Sequence, residues 1–348
     1  MAFEYKELTS TAQAAYAQLI DAALTAEHMR TVADLTGSFS SKTVKGHKYW
    51  YFQYTEPSGK LRQIYIGPDN DAVKSLIELK AQPGVTQNLV PLAASAVALG
   101  CAAILPKHLR VIARLSEYGF FRAGGVLVGT HAFLAYGNML GVQWGDSSRT
   151  QDLDFAHSGK NIALALPSNL EVNTHSAIES LQMGLLPISG LKGKTGATYL
   201  EPRDPSFRLD FLTTLHRGGE KNYEHPQLHV TLQPLKFMEY SLVQVQQAVL
   251  FNMEGAVVVN IPHPARYALH KLIVYGEREG MYASIASKDL TQAASLLRYF
   301  KDNRTWEIRE AYEDLMSRGI GWVSRFERAQ KAIEKAYPEI EVGKLLRE

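Results

Sequence analysis

Residues 124–154 read GGVLVGTHAFLAYGNMLGVQWGDSSRTQDLD, and no other stretch of the chain restricts the fold as much. A short apolar run, Val126-Leu127-Val128, stops at Gly129-Thr130 and gives way to a segment of helical character. Asp152-Leu153-Asp154 then alternates charged and apolar side chains. A period of two is strand geometry, so both carboxylates share one face while Leu153 enters the core. Arg208-Leu209-Asp210-Phe211 repeats the pattern, with Leu209 and Phe211 directed one way and Arg208 and Asp210 the other. Such strand–helix–strand alternation predicts an α+β fold, a mixed sheet flanked by helices.

The pattern extends on both sides. Apolar residues at Tyr16, Leu19, Ile20 and Leu24 predict a helix within residues 5–35. Residues 45–54 (KGHKYWYFQY) and 60–66 (KLRQIYI) flank the turn Glu56-Pro57-Ser58-Gly59 and predict a β-hairpin, followed by a helix over 71–81. From Pro106 onward, helices are expected over 107–118, 130–140 and 170–183. Strands are expected over 125–128, 152–156, 162–166, 198–201, 207–213 and 257–261, with helices beyond Pro262. Three regions result: 1–105, helical with the hairpin; 106–245, the sheet; and 246–348, helical. With 348 residues and 46% hydrophobic content, the chain can build cores for two or three domains.

Composition narrows the setting. Net charge is only +2, so any surface suited to nucleic acid must be local. Cys101 is the only cysteine, which excludes a disulfide framework and a cysteine-based zinc site and fits a reducing, cytoplasmic compartment. The start, MAFEYKELTS, lacks the features of a signal peptide. Residues 92–105 (LAASAVALGCAAIL) fall short of the roughly 20 needed to span a bilayer and are expected to form a packed helix.

The acids and the glycine turn carry the chemistry. Two carboxylates on one strand face repel each other unless a cation lies between them, and Mg²⁺ favours one or two carboxylates with phosphate oxygens and water. Asp152, Asp154 and Asp210 are therefore the candidate metal ligands and catalytic residues, with Asp210 also able to accept a proton from an attacking hydroxyl. Gly129-Thr130 opens a helix whose N-terminus suits phosphate, although Thr130 also fits a plain helix cap. His131 is equally consistent with a core position. A single D-x-D is more often a solvated strand end; its combination with the turn and the later acid favours catalysis.

With these residues in place, the chain resembles the polymerase-β-type nucleotidyltransferase superfamily. Its signature is a strand, a Gly-Gly or Gly-Ser turn, a helix, D-x-D and a later Asp. The likeness is closest to bacterial nucleotidyltransferase-like domains with "GvLVGThAF…DlDfA", and more distant to the AbiEii/MenT toxins. It spans about residues 105–297. It implies Mg²⁺ (or Mn²⁺) at Asp152, Asp154 and Asp210, and an NTP at Gly129, Thr130 and Arg149. Toxin-type relatives carry a helical Lys, then Arg, then Lys-Asp. Here these are Lys271, Arg278 and Lys288-Asp289, and Lys271, Tyr275 and Arg278 share one helix face toward the nucleotide. Two departures are the Gly-Thr turn and the long connection through residues 141–148.

The implied reaction is NMP transfer from an NTP to an acceptor hydroxyl with release of pyrophosphate. An RNA or tRNA end is the favoured acceptor, held by Lys45, Lys48, Trp50, Lys60 and Arg62 of the hairpin, where cations interleave with aromatic rings. Alternation equally allows those rings a structural or protein-contact role. A protein or small-molecule acceptor and an antitoxin-like protein partner remain open, and no membrane is expected. The rivals are a non-catalytic nucleotide-sensing or partner-binding module, and a phosphohydrolase, which would bring more than His157 beside its acids.

Overall fold

In the computed structural model, helix capping follows from the local sequence, while strand register follows from the packing of distant segments. The structure describes residues 5–29, 37–55, 61–81, 89–145, 152–158, 172–189, 195–215, 221–226, 228–278 and 283–347. After the short strand β1 (Lys6–Glu7), helix α1 (Ser10–His28) starts where the Thr9 hydroxyl accepts the Ala12 N–H. Its stripe Ala12, Tyr16, Leu19 and Ala23 is buried. The expected hairpin is present and carries a third strand. β2 (Ser38–Val44), β3 (His47–Thr55) and β4 (Leu61–Pro68) form one antiparallel sheet, followed by α2 (Asp71–Ala81). α3 (Leu89–Ala98) begins earlier and ends earlier than expected, and its Ala93 and Ala96 pack in one cluster with α1. Among the described residues no helix is long and apolar enough to cross a membrane.

The central layer begins with α4 (Pro106–Glu117), whose Pro106 occupies the first turn, where its missing N–H costs no hydrogen bond. β5 (Val126–Val128), α5 (Gly129–Leu140), β6 (Val142–Gln143) and β7 (Leu153–His157) follow, with β6 pairing back to β1. Next come α6 (Thr174–Ser180), shorter than expected, then β8 (Leu186–Ser189), β9 (Thr195–Glu201) and β10 (Asp204–Thr214). β11 (Tyr223–His225), β12 (Val230–Leu235) and α7 (Met238–Ser241) complete it. The sheet runs β11-β12-β10-β7-β5, with β7 parallel to β10 and antiparallel to β5. One edge of β10 is taken by β7; the other is shared by β9 at its start and β12 at its end. The strand expected over 162–166 lies outside the described residues.

Leu153, Phe155, Leu209 and Phe211 are fully buried, and the Phe155 and Phe211 rings stack with centroids 5.2 Å apart. This apolar layer fixes the register and leaves the charged face of both strands outward. Past the sheet, β13 (Val245–Asn252) and β14 (Gly255–Pro262) make a hairpin, of which only the second strand is evident from apolar alternation. Helices α8 (Pro264–Glu277), α9 (Ala283–Asp302), α10 (Thr305–Ser317), α11 (Ile320–Ala336) and α12 (Val342–Arg347) close the chain. One buried cluster runs from Ile104 to Leu346, so the sheet and these helices share a core.

Candidate active site

Register brings the acids together. Asp154 on β7 is the direct partner of Asp210 on β10, as Leu153 is of Leu209. Adjacent strands lie about 4.8 Å apart, so the two carboxylates occupy neighbouring positions. Asp152, one residue before β7, falls on the same face. On the other side Val128 of β5 pairs with Asp154, which sets the Gly129 turn beside that carboxylate. Gly129 has φ +65°, and a Cβ there would lie 2.1 Å from Asp154 Oδ2. The position therefore requires glycine both for its left-handed backbone and for the close approach.

The electrostatics are those of crowded carboxylates. Burial, reinforced by the charges of Asp210 and Asp152, pushes Asp154 up to about 6, against the partial relief of Lys271 and Arg208. Asp152 is raised by burial as well, with Arg208 opposing it and Asp210 adding to it. Arg208 spans the acids: its Nε is 3.4 Å from Asp152 Oδ1 and 3.1 Å from Asp210 Oδ2. The other Asp210 oxygen, Oδ1, accepts the Thr198 hydroxyl at 2.6 Å.

A cationic side faces these acids from α8 and α9. Buried Asp289 holds Lys271 at 2.6 Å through Oδ1 and Arg278 through Oδ2. Lys288, adjacent in sequence, is lowered by burial and by Lys271 while Asp152 and Asp154 attract its charge, so it too lies within the field of the acids. α8 also braces the turn. The buried Tyr267 hydroxyl donates to the Gly129 carbonyl at 2.9 Å and lies 2.8 Å from Gln292 Oε1. Gln292 Nε2 in turn donates to Thr130 Oγ1 at 3.4 Å. No side chain caps α5, which leaves its first-turn N–H groups without that partner.

Of the residues singled out from sequence, Asp152, Asp154, Asp210, Gly129, Thr130 and Lys271 gather at one end of β7 and β10. Thr130 is buried, with its hydroxyl toward Gln292. Arg278 caps the end of α8 in an extended conformation (φ −77°, ψ 116°), so it does not share a helix face with Lys271 and Tyr275 as expected, and it joins the group through Asp289. Tyr275 is half-buried and packs on the main core. Arg149 lies outside the described residues. His131 is a core histidine: its Nε2 is 2.9 Å from His108 Nδ1, and burial lowers it to about 3, so it is neutral. Arg208 and Thr198 escaped the sequence reading. Arg208 had a signal, two residues before Asp210 on the same strand face, whereas Thr198 had none.

The donor set suits a hard cation: carboxylate oxygens only, with Asp152 and Asp154 raised by burial and by the charge of Asp210. Among the described residues no three acidic, histidine or cysteine side chains converge into a ready-made cage. That is compatible with Mg²⁺, which takes few protein ligands and completes its shell with phosphate and water.

Two family models match. One, described as a domain of unknown function (DUF6788), covers residues 13–75, which contain the three-stranded sheet and most of α1. The other, described as Nucleotidyltransferase (NTP_transf_8), covers residues 107–317, more than half of the chain, and contains every acid and cation of the site. No curated protein and no solved structure matches. The acids meeting across β7 and β10 thus lie within the matched region, and the chain belongs to this nucleotidyltransferase family.

Proposed function

We propose that the protein transfers an NMP from an NTP to an acceptor hydroxyl in a Mg²⁺-dependent reaction. The observation that carries this reading is the Asp154–Asp210 register pair with Gly129 held against the Asp154 carboxylate. The triphosphate sits over the uncapped start of α5, whose N–H groups and positive dipole end favour anions. Lys271 on α8, Lys288 on α9 and Arg278 just past the end of α8 stabilise charge on the departing pyrophosphate. Asp152 and Asp154 would hold Mg²⁺, which would supply charge neutralisation on the phosphate oxygens.

Arg208 neutralises Asp152 and Asp210 in the metal-free site, a role that a bound cation would take over. Asp210, oriented by Thr198, aligns the acceptor hydroxyl and takes its proton. The hydroxyl oxygen then bonds to the α-phosphorus as the bond to the bridging β-phosphate oxygen breaks. The favoured acceptor is an RNA end. Incubation of the chain with each α-³²P-NTP, Mg²⁺, total RNA and total protein tests the reading. Label should enter one fraction and be absent with Asp152→Ala/Asp154→Ala protein. If no acceptor is labelled and no pyrophosphate is released although NTP binds, the fold serves as a non-catalytic nucleotide-binding module.

A further inference from the structure

The three-stranded sheet β2-β3-β4 has two unlike faces. On one, Phe39 and fully buried Phe52 meet with ring centroids 5.2 Å apart. Val73 of α2 is buried and Lys80 of α2 extends over the Phe52 ring, so this face is closed by its own helix. Register puts a different set on the other face. Ser40 pairs with Tyr51, Lys42 with Tyr49, Tyr51 with Tyr65, and Gln53 with Gln63. Tyr65 is 54% exposed, and Tyr49 and Tyr51 are only half-buried. The three rings adjoin, with centroids 6.3 Å apart for Tyr49–Tyr65 and 5.6 Å for Tyr51–Tyr65.

Charge on the sheet is one-sided too. Residues 37–55 and 61–68 include Lys42, Lys45, Lys48 and Arg62 and not one Asp or Glu, although the chain as a whole holds 35 acids against 37 bases. The cation amid the rings is Lys42, 4.8 Å over Tyr51 and donating to Gln63 at 2.8 Å. A solvent-facing sheet that served only to close a domain would have no use for three adjoining tyrosines, which remain wet; Asp69, just past β4, is bonded to Trp50 and not to these rings. Flat rings accept bases of any sequence, and a cation among them, here Lys42, attracts a phosphate backbone.

We propose that this tyrosine face is a stacking platform for single-stranded nucleic acid. Tyr49, Tyr51 and Tyr65 take successive bases, and Lys42 meets the backbone. Trp50 lies outside the platform, because its indole N–H is committed to Asp69 at 2.7 Å and its ring carries Lys48. The proposal rests on the transfer reading only for the use of the bound strand, which would be the acceptor.

Fluorescence anisotropy of labelled oligo-U RNA and oligo-dT of about 12 nucleotides, a length within the usual span of such sites, tests it. Binding is measured on the full-length Asp154→Ala protein, which performs no transfer, so that failure of the platform and failure of the transfer reading are separable. Tyr51→Ala/Tyr65→Ala should weaken binding by about tenfold or more, while Tyr51→Phe/Tyr65→Phe, which keeps the rings, stays within about twofold. Lys42→Ala should lower the slope of log K against log salt by about 0.7. A matched duplex should bind more weakly than the single strand. No binding of either strand overturns the proposal, as does binding that the paired alanines leave unchanged while melting curves show an intact fold. A preference for duplex overturns it as well.

Discussion

The crowding of Asp154 has a cost that can be measured without any substrate. Its carboxyl is lifted from 3.8 to about 6, which corresponds to roughly 3 kcal/mol. A raised acid in the folded state means that folding binds a proton between these values, so the contribution to stability is present at low pH and lost as pH rises through about 6. Asp154→Asn should therefore melt higher than wild type at pH 8 without metal, with the gap closing toward pH 5 and narrowing when Mg²⁺ is added. The same variant should lose transfer activity by about 10²-fold or more, since it removes charge from the reacting centre. Calorimetric melting across pH checks the first outcome and label transfer the second. Arg208→Gln should have the opposite signature: with the bridging guanidinium gone, the metal-free protein melts lower and Mg²⁺ raises the midpoint more than in wild type. Gly129→Ala forces a left-handed alanine whose methyl meets Asp154 Oδ2, and should cost about 1–3 kcal/mol in chemical denaturation as well as activity.

Between elements, the pair α8 and α9 acts through one buried carboxylate. Asp289 ties Lys271 and Arg278, and Asp289→Ala leaves two cations without their partner. A loss on the order of 3 kcal/mol is expected in urea unfolding, because breaking a buried pair from one side strands the opposite charge. Arg278→Ala should cost much less, since that side chain is about a third exposed. The turn between β5 and α5 shows how much was legible locally. Apolar run, Gly-Thr and D-x-D were readable, because each is a property of neighbouring residues. The Tyr267 hydroxyl that braces the Gly129 carbonyl was not, because 138 residues separate the two. β13 (VQQAVLFN) was obscured by its polar first half, and gains its strand identity from pairing residue by residue with β14.

Across the whole molecule, the family match stops at residue 317, but the packing does not. Phe326, Ala329, Ile333, Val342, Leu345 and Leu346 of α11 and α12 are buried in the same cluster as the sheet. α11 also meets α8 closely: a Cβ on Gly276 would lie 2.0 Å from the Arg325 carbonyl oxygen. Burial of each large apolar side chain is worth about 1.5–3 kcal/mol, so losing these five large side chains removes a sum comparable to the usual net stability of a domain, about 5–15 kcal/mol. A chain ending at Ser317 should bind the dye ANS and aggregate although it retains every acid and cation of the site; cooperative melting of that truncated chain would refute the shared core.

Period-two and helical spacing, which act over a few residues, were enough to state the α+β class, the D-x-D strand, the helix after Gly129 and the charged face of β10. Their cause is local: a side chain's direction on a strand or helix follows from backbone geometry alone. The meeting of Asp154 with Asp210, the guanidinium of Arg208 between two acids, and the division of the N-terminal sheet into a closed face and a tyrosine face depend on which strands pair and in what register. Register is fixed by burial of residues distant in the chain, such as Phe155 against Phe211, and so it emerges only once the core has formed.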